Sequence, residues 1–147
     1  MGVQGSGKSY WTAANAGRLG AEVVASDAIR NELEDRGQEA TDGDRVFAVV
    51  NERLAGKLAQ GRNVILDGTH ARRAWRKDEV ATTRRFGATL IGVWFDVPLD
   101  VCLQRNASRT GRRWGERAVP EAFLLEVARG FEGPEEGEFD EVWRINL

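Results

Sequence analysis

The octet Gly2-Val3-Gln4-Gly5-Ser6-Gly7-Lys8-Ser9 fits the pattern G-x-x-x-x-G-K-[ST] immediately ahead of a segment of helical character. Glycines let consecutive backbone N–H groups point into one concavity, which a phosphate chain fills. A helix starting near Lys8 adds its positive dipole end. Lys8 supplies a mobile cation for β- and γ-phosphates, and Ser9 a hydroxyl for Mg²⁺. Gly2, Gly5, Ser6, Gly7, Lys8, Ser9 and Tyr10 are therefore the candidate ATP contacts, with Ser9 also the first candidate metal ligand.

Two carboxylates follow at places where chemistry is expected. Asp27, in Ser26-Asp27-Ala28-Ile29-Arg30, falls just past an apolar run. In an open α/β sheet that position lines the ligand crevice. An aspartate there can take the proton of an acceptor hydroxyl during phosphoryl transfer. Arg30 lies one helical turn on and suits an acceptor that carries its own phosphate. The plainer readings are a helix cap for Asp27 and a surface ion pair for Arg30. Asp67 ends the run Val64-Ile65-Leu66-Asp67, the place of a carboxylate that orients Mg²⁺ or holds an acceptor. His70, the one histidine, reads as a loop imidazole hydrogen-bonded to backbone, with a general base as the competing reading.

The segment Arg105-Asn106-Ala107-Ser108-Arg109, then Thr110-Gly111-Arg112-Arg113, looks like a lid over about 105–119. One arginine there would neutralise charge on the transferring phosphoryl group. Arg109 is the choice, with Arg112 and Arg113 as competitors. Trp114 lies in the same segment and either packs or stacks on a base. Cys102 has no activating partner nearby and reads as packing inside a helix.

These residues need elements to hold them. Lys8–Leu19 reads as a helix, and Ala21–Ala25 as a strand. Ser26 would cap a short helix over Asp27 to about Arg36. Val46, Phe47, Val50, Leu54 and Leu58 recur at helical spacing, and Gly61 stops that helix. Asn63–Asp67 is a buried strand. Ala71–Phe86 is a charged helix with Ala74, Trp75, Val80 and Phe86 on its apolar side. Ala88–Val97 is the longest strand, Pro98 opens a helix over Leu99–Ala107, and Pro120 opens another to about Arg129. Val142–Leu147 reads as a last strand. Helices alternating with apolar strands predict one α/β domain over 1–147, a three-layer sandwich around a parallel sheet. A phosphate loop normally hangs from a central strand, yet only Met1 precedes Gly2. That first central strand is missing here. The expectation is a start codon further upstream, and poor stability for a chain begun at Met1.

Composition bounds the rest. With 41% hydrophobic and 30% charged residues, the 147-residue chain reads as globular rather than disordered. No apolar run is long enough to span a membrane, no signal peptide is evident, and a lone cysteine points to a reducing cytoplasm. Twenty-one basic against 23 acidic residues, net −2, rules out wholesale electrostatic binding of nucleic acid but not a local basic groove. The charges are segregated. Basic residues gather in 72–85 and 105–117, and six acids without a base lie in 132–141.

The set resembles the P-loop kinases allied to the 5′-kinase domain of phage-type polynucleotide kinase, within the AAA-type and zeta-toxin-like kinase group. The matching positions are Gly2–Ser9, the Asp27-x-x-Arg30 pair, Asp67, and Arg105, Asn106 and Arg109 followed by Val119-Pro120. The resemblance implies an ATP- and Mg²⁺-dependent phosphotransferase. It makes Asp27 the general base, Arg30 a binder of an acceptor phosphate and Arg109 a contact to donor phosphates. The residues 111–118 look inserted relative to that pattern. The acceptor implied is a polynucleotide 5′-hydroxyl, with the basic stretch 72–85 beside the strand. A small-molecule kinase for a sugar acid, nucleoside or antibiotic is the alternative, and a non-catalytic nucleotide-binding module is a third reading. No membrane and no obligate protein partner are expected.

Overall fold

A computed structural model describes residues 1–146. In chain order the elements are α1 (Lys8–Asn15), β1 (Ala21–Ala25), α2 (Ser26–Asp35), α3 (Gly43–Ala59), β2 (Asn63–Asp67), α4 (Arg73–Arg85), β3 (Ile91–Asp96), α5 (Leu99–Ala107), α6 (Glu121–Arg129) and β4 (Glu141–Asn146). β1 pairs with β2 in parallel, from Ala21 opposite Asn63 to Ala25 opposite Asp67. β3 pairs with β4 in parallel, from Ile91 opposite Glu141 to Asp96 opposite Asn146. Parallel neighbours need long crossovers, and helices supply them here. The expected α/β class with parallel strands is what forms.

Among the described residues the strands form two separate pairs, not one continuous sheet. Met1 and Gly2 lie between the pairs. The Met1 amino nitrogen donates to Val93 O at 2.5 Å, Phe95 N donates to Met1 O at 2.9 Å, and Gly2 N donates to Thr69 O at 3.1 Å. The phosphate loop thus starts at the carboxyl ends of β2 and β3, where an α/β sheet presents its ligand crevice.

The core cluster joins Val24, Ile29, Leu33, Ala40, Val46 and Val50. On α3, Val46, Val50 and Leu54 are buried, the helical stripe that the apolar spacing predicts. Asp42 caps that helix by accepting from Asp44 N and Arg45 N.

Several expected boundaries shift. α1 ends at Asn15, because Gly17 and Gly20 favour the turn that follows. Ser26 is the first residue of α2 and makes no capping bond; its hydroxyl reaches Asp67 O instead, at 3.5 Å. β3 starts at Ile91 rather than Ala88, and β4 covers Glu141–Asn146. Leu147, expected in the last strand, lies outside the described residues.

The largest correction concerns α4. Trp75 and Phe86 are exposed, and the buried residues are Arg76, Glu79, Thr82 and Thr83. Arg76 is the member of this buried polar face that finds partners outside the helix, while Glu79 Oε2 is left without one. Arg76, 3% exposed, forms a two-bonded ion pair with Glu138 at 2.6 and 2.8 Å. Its guanidinium also donates to the carbonyls of His70, Glu132 and Gly133. Thr83 Oγ1 donates to Glu79 O at 2.8 Å, and burial pushes the Glu79 carboxyl up to about 7. No described helix is long and apolar enough to cross a membrane.

Candidate active site

The phosphate loop is shaped by what crowds it. Gly5 has φ 82°, and a Cβ there would run into the backbone carbonyl of Cys102 on α5. Only glycine permits that approach. Cys102 is buried, as its helix packing requires, and burial raises its thiol pKa. Among the described residues, the N–H groups of Gly5, Gly7, Lys8 and Ser9 have no backbone acceptor. They are the donors an anion would take. Lys8 Nζ curls across the loop to Val3 O at 2.8 Å and Ser6 Oγ at 3.5 Å.

Beside the loop lies a cavity of about 410 Å³ lined by Gly5, Gly7, Lys8, Ser9, Tyr10, Arg105 and Arg109. Tyr10 is 84% exposed at its rim. Arg109 therefore shares a wall with Lys8. Of its competitors, Arg113 is bound to Asp35 by two bonds of 2.6 and 2.8 Å, and Arg112 is exposed and away from the cavity. Sequence reasoning passed over Arg105 as a cavity residue. Its Nη1 donates to Gly5 O at 3.3 Å. The signal was its position four residues before Arg109, one helical turn along the same face.

The charged groups act on one another. Burial pulls the Lys8 ammonium down to about 8; Asp67 and Asp27 favour its charge, and Arg109 opposes it. Asp27 is raised above the usual carboxylate range, first by burial and further by Asp67, while Arg30, Lys8 and Arg109 hold it down. Lys8, Asp27, Asp67 and Arg109 therefore share one electrostatic neighbourhood at the carboxyl ends of β1 and β2. A carboxyl biased toward accepting a proton beside an ammonium and a guanidinium is the arrangement phosphoryl transfer uses.

Mg²⁺ takes few protein ligands and binds mainly through water and substrate phosphates. The described residues contain no cluster of three His, Cys, Asp or Glu able to hold a metal ion by itself. The exposed Ser9 hydroxyl and the Asp67 carboxylate are oxygen donors of the right kind, so the residues fit an ion that arrives with a nucleotide.

Over Asp27 lies a hairpin closed by the Thr110–Arg117 bridge. Gly115 (φ 85°) comes so close that an added Cβ would sit 3.3 Å from Asp27 Oδ2. The hairpin is fastened to α2: Asn31 Nδ2 donates to Trp114 O at 3.2 Å, and Trp114 N donates to Asn31 Oδ1 at 2.9 Å. Trp114 Nε1 donates to Glu34 at 2.7 Å, and the ring packs on the core cluster. The Arg30 guanidinium lies 4.9 Å from the ring centroid and that of Arg117 3.8 Å. The ring is thus engaged by protein groups, as in the packing reading of Trp114. Arg30 is not in an ion pair; its Nη1 donates to Ala40 O.

The structure separates the two readings of His70 and corrects one expectation about charge. His70 is buried, with φ 46°, its ring edge-on to Phe47 at 5.9 Å and Nε2 without a partner. Burial, with nearby positive charge, lowers it to about 4, so it is a neutral packed imidazole and not a base. The basic stretch 72–85 is not a free surface. Arg73 pairs with Glu132 and Glu135, Arg76 with Glu138, and Arg84 with Asp140. The acidic segment of the same chain thus engages three of its six basic residues, and Arg72 reaches Glu126 at 3.9 Å.

Comparison with known proteins adds to this geometry. Residues 1–134 match the family model described as an AAA domain. No curated protein sequence matches the chain. Among solved structures, a sugar kinase from Janibacter sp. HTCC2649 is similar at 25% identity and TM-score 0.68, covering 100% of this chain and 81% of its own. A gluconokinase from Sinorhizobium meliloti 1021 is similar at 24% identity and TM-score 0.66, covering 100% and 79%. An APS kinase of Mycobacterium tuberculosis, solved with AMPPNP and APS, is similar at 17% identity and TM-score 0.66, covering 99% and 84%.

Proposed function

This chain belongs to the AAA domain family, and on that premise we propose that it is a P-loop kinase moving the γ-phosphate of ATP to a hydroxyl of a small molecule. The observation that carries the reading is the shared neighbourhood of Lys8, Asp27, Asp67 and Arg109 beside the phosphate loop. The free N–H groups of Gly5, Gly7, Lys8 and Ser9 cradle the phosphates, with Gly2 and Ser6 shaping the loop, and Tyr10 stands at the rim of the cavity. Asp27 accepts the acceptor hydroxyl's proton as that oxygen bonds to the γ-phosphorus. The bond to the β–γ bridging oxygen breaks, and ADP leaves. Lys8 and Arg109 offset the charge that develops on the transferring group. Mg²⁺ held by Ser9 and Asp67 would add charge neutralisation on the phosphate oxygens.

Two features favour a small acceptor over a polynucleotide 5′-hydroxyl. In the basic stretch that would lie along a strand, Arg73, Arg76 and Arg84 are already paired with the chain's own acids. The hairpin also covers Asp27, with Gly115 at a point where an added Cβ would come within 3.3 Å of Asp27 Oδ2. The sugar-kinase neighbour at 25% identity agrees with this direction.

The test is transfer of label from γ-labelled ATP to a panel of sugars, sugar acids and nucleosides, with a 5′-hydroxyl oligonucleotide alongside. Transfer to a small alcohol is expected. Asp27→Asn should lower turnover by roughly a hundredfold or more while nucleotide affinity is kept. Preferred labelling of the oligonucleotide would overturn the small-acceptor reading, and undiminished turnover of the variant would remove Asp27 from the reaction.

A further inference from the structure

The hairpin is tied down at its tip and at its base, and the ties differ. Those at the tip lie on the helix that carries Asp27. Asn31, Glu34 and Asp35 follow Asp27 on α2 at i+4, i+7 and i+8, one face of that helix. Asn31 holds both backbone groups of Trp114, at 3.2 and 2.9 Å. Glu34 accepts from the Trp114 indole at 2.7 Å, and Asp35 takes two bonds from Arg113. At the base, Asn106 donates to Val119 O at 2.8 Å and accepts from Val119 N at 3.0 Å. Asn106 is buried, whereas Glu34 and Asp35 are exposed and Asn31 is half-buried.

What the tip covers is the carboxyl that takes the proton. A methyl group added at Gly115 would lie 3.3 Å from Asp27 Oδ2 and 3.5 Å from its Cβ. That gap holds no hydroxyl-bearing molecule, yet a base must come within about 3.2 Å of the hydroxyl oxygen it deprotonates. The hairpin and an acceptor therefore compete for the space at Oδ2. The ties at the tip can open, because hydrogen bonds and half-exposed ion pairs exchange for bonds to water at small net cost. Against opening stands the Trp114 ring, packed on the core cluster. The closed arrangement is thus the majority state and the open one a minor state.

We propose that the hairpin is a gate on the acceptor side of the site, with Asn31 as its latch: the acceptor reaches Asp27 when Trp114 leaves Asn31, while Asn106 keeps the base of the hairpin in place. Arg109 precedes the hairpin and lines the donor cavity, so the donor side stays formed while the gate opens. The gate regulates the site of the kinase reading above and rests on that reading for its acceptor. Asn31 is a positioning residue: it acts through the hairpin and touches none of the reacting atoms. When only the open fraction binds, apparent affinity scales with that fraction, so a weaker latch tightens acceptor binding.

Shielding of Asp27 is read without turnover. The full chain carrying Asp27→Cys would be alkylated with iodoacetamide and the modified peptides followed by mass spectrometry, with the buried Cys102 as internal reference. Position 27 should react slowly, and adding Asn31→Ala should speed it by about tenfold or more, as loss of two hydrogen bonds at the latch implies. Cys102 should stay slow, which shows that the fold has not loosened. Gly115→Ala, strained at φ 85° and crowded against position 27, should also release the tip, and it decides the matter should Asn31→Ala not fold. With Asp27 in place, Asn31→Ala should lower the KM of the small alcohol found in the transfer panel and leave the KM of ATP unchanged, a split that a purely structural role would not produce. The inference is overturned if position 27 reacts as fast as a free thiol with Asn31 present, if the folded latch variant leaves its rate unchanged, if Cys102 speeds up in parallel, or if the acceptor KM rises. Those results leave the kinase reading standing. A panel in which no alcohol is phosphorylated sinks the kinase reading and the gate's acceptor with it, while the alkylation rates still decide whether the tip shields position 27.

Discussion

Lys8 carries a pH dependence that follows from its burial. Its pKa is lowered to about 8 in the free protein, so the ammonium is charged at neutral pH and loses its proton as pH rises through that value. Bound phosphates favour the charged form, so above pH 8 nucleotide binding must take up a proton. Affinity for Mg·AMPPNP should be flat below about pH 7 and fall above pH 8 by up to roughly tenfold per unit. Calorimetry across pH 6.5–9.5 reads this directly. Lys8→Met should bind more weakly and lose the alkaline limb; a flat wild-type profile would show that Lys8 does not meet the phosphates. The loop was legible because its eight residues are contiguous and their chemistry is local. Arg105 was harder, since its place in the cavity depends on how α5 lies against Gly5. Asn31 was not legible at all, because its meaning comes from a contact between segments 83 residues apart.

α4 shows the same limit for an element. Its existence follows from composition, and β1 and β2 have the bounds that their apolar runs predict. Its buried face does not follow, because periodicity arguments weigh apolar residues, while this helix buries an arginine whose partner is 62 residues away. Arg76 ties α4 to the acidic segment through Glu138 and three backbone carbonyls. Replacing it by methionine keeps much of the volume but leaves the Glu138 carboxylate, 12% exposed, without its counter-charge. Such one-sided removals cost about 3–5 kcal/mol. Urea unfolding of Arg76→Met should show a loss of that order, and Arg76→Met with Glu138→Leu should recover a good part of it. A loss of the single variant below about 1 kcal/mol would mean that the pair contributes no more than an exposed one.

Across the whole molecule, charge segregation proved more informative than net charge, though its meaning reversed. In the sequence, a basic run and an acidic run look like two surfaces for two partners. In the fold Arg73, Arg76 and Arg84 of the basic run pair with the acidic run, while Arg105, Arg109, Arg112 and Arg117, near the phosphate loop and in the hairpin, have no carboxylate within 4 Å among the described residues. Net charge cannot reveal this, because ion pairing within a chain leaves the sum unchanged. A test at this scale therefore addresses the distribution. The chain should show no measurable affinity for a 5′-hydroxyl oligonucleotide at about 0.15 M salt, where exposed charges are screened beyond about 8 Å. Changing Glu132 and Glu135 to glutamine and Asp140 to asparagine would free Arg73 and Arg84 while sparing the buried Arg76–Glu138 pair. That variant should gain weak oligonucleotide binding that falls steeply with salt, because counterion release drives such contacts. Fluorescence anisotropy at several salt concentrations separates the cases. Tight, salt-dependent binding by the unaltered chain would show that the strip is open after all, and would return the polynucleotide end to first place among the acceptors.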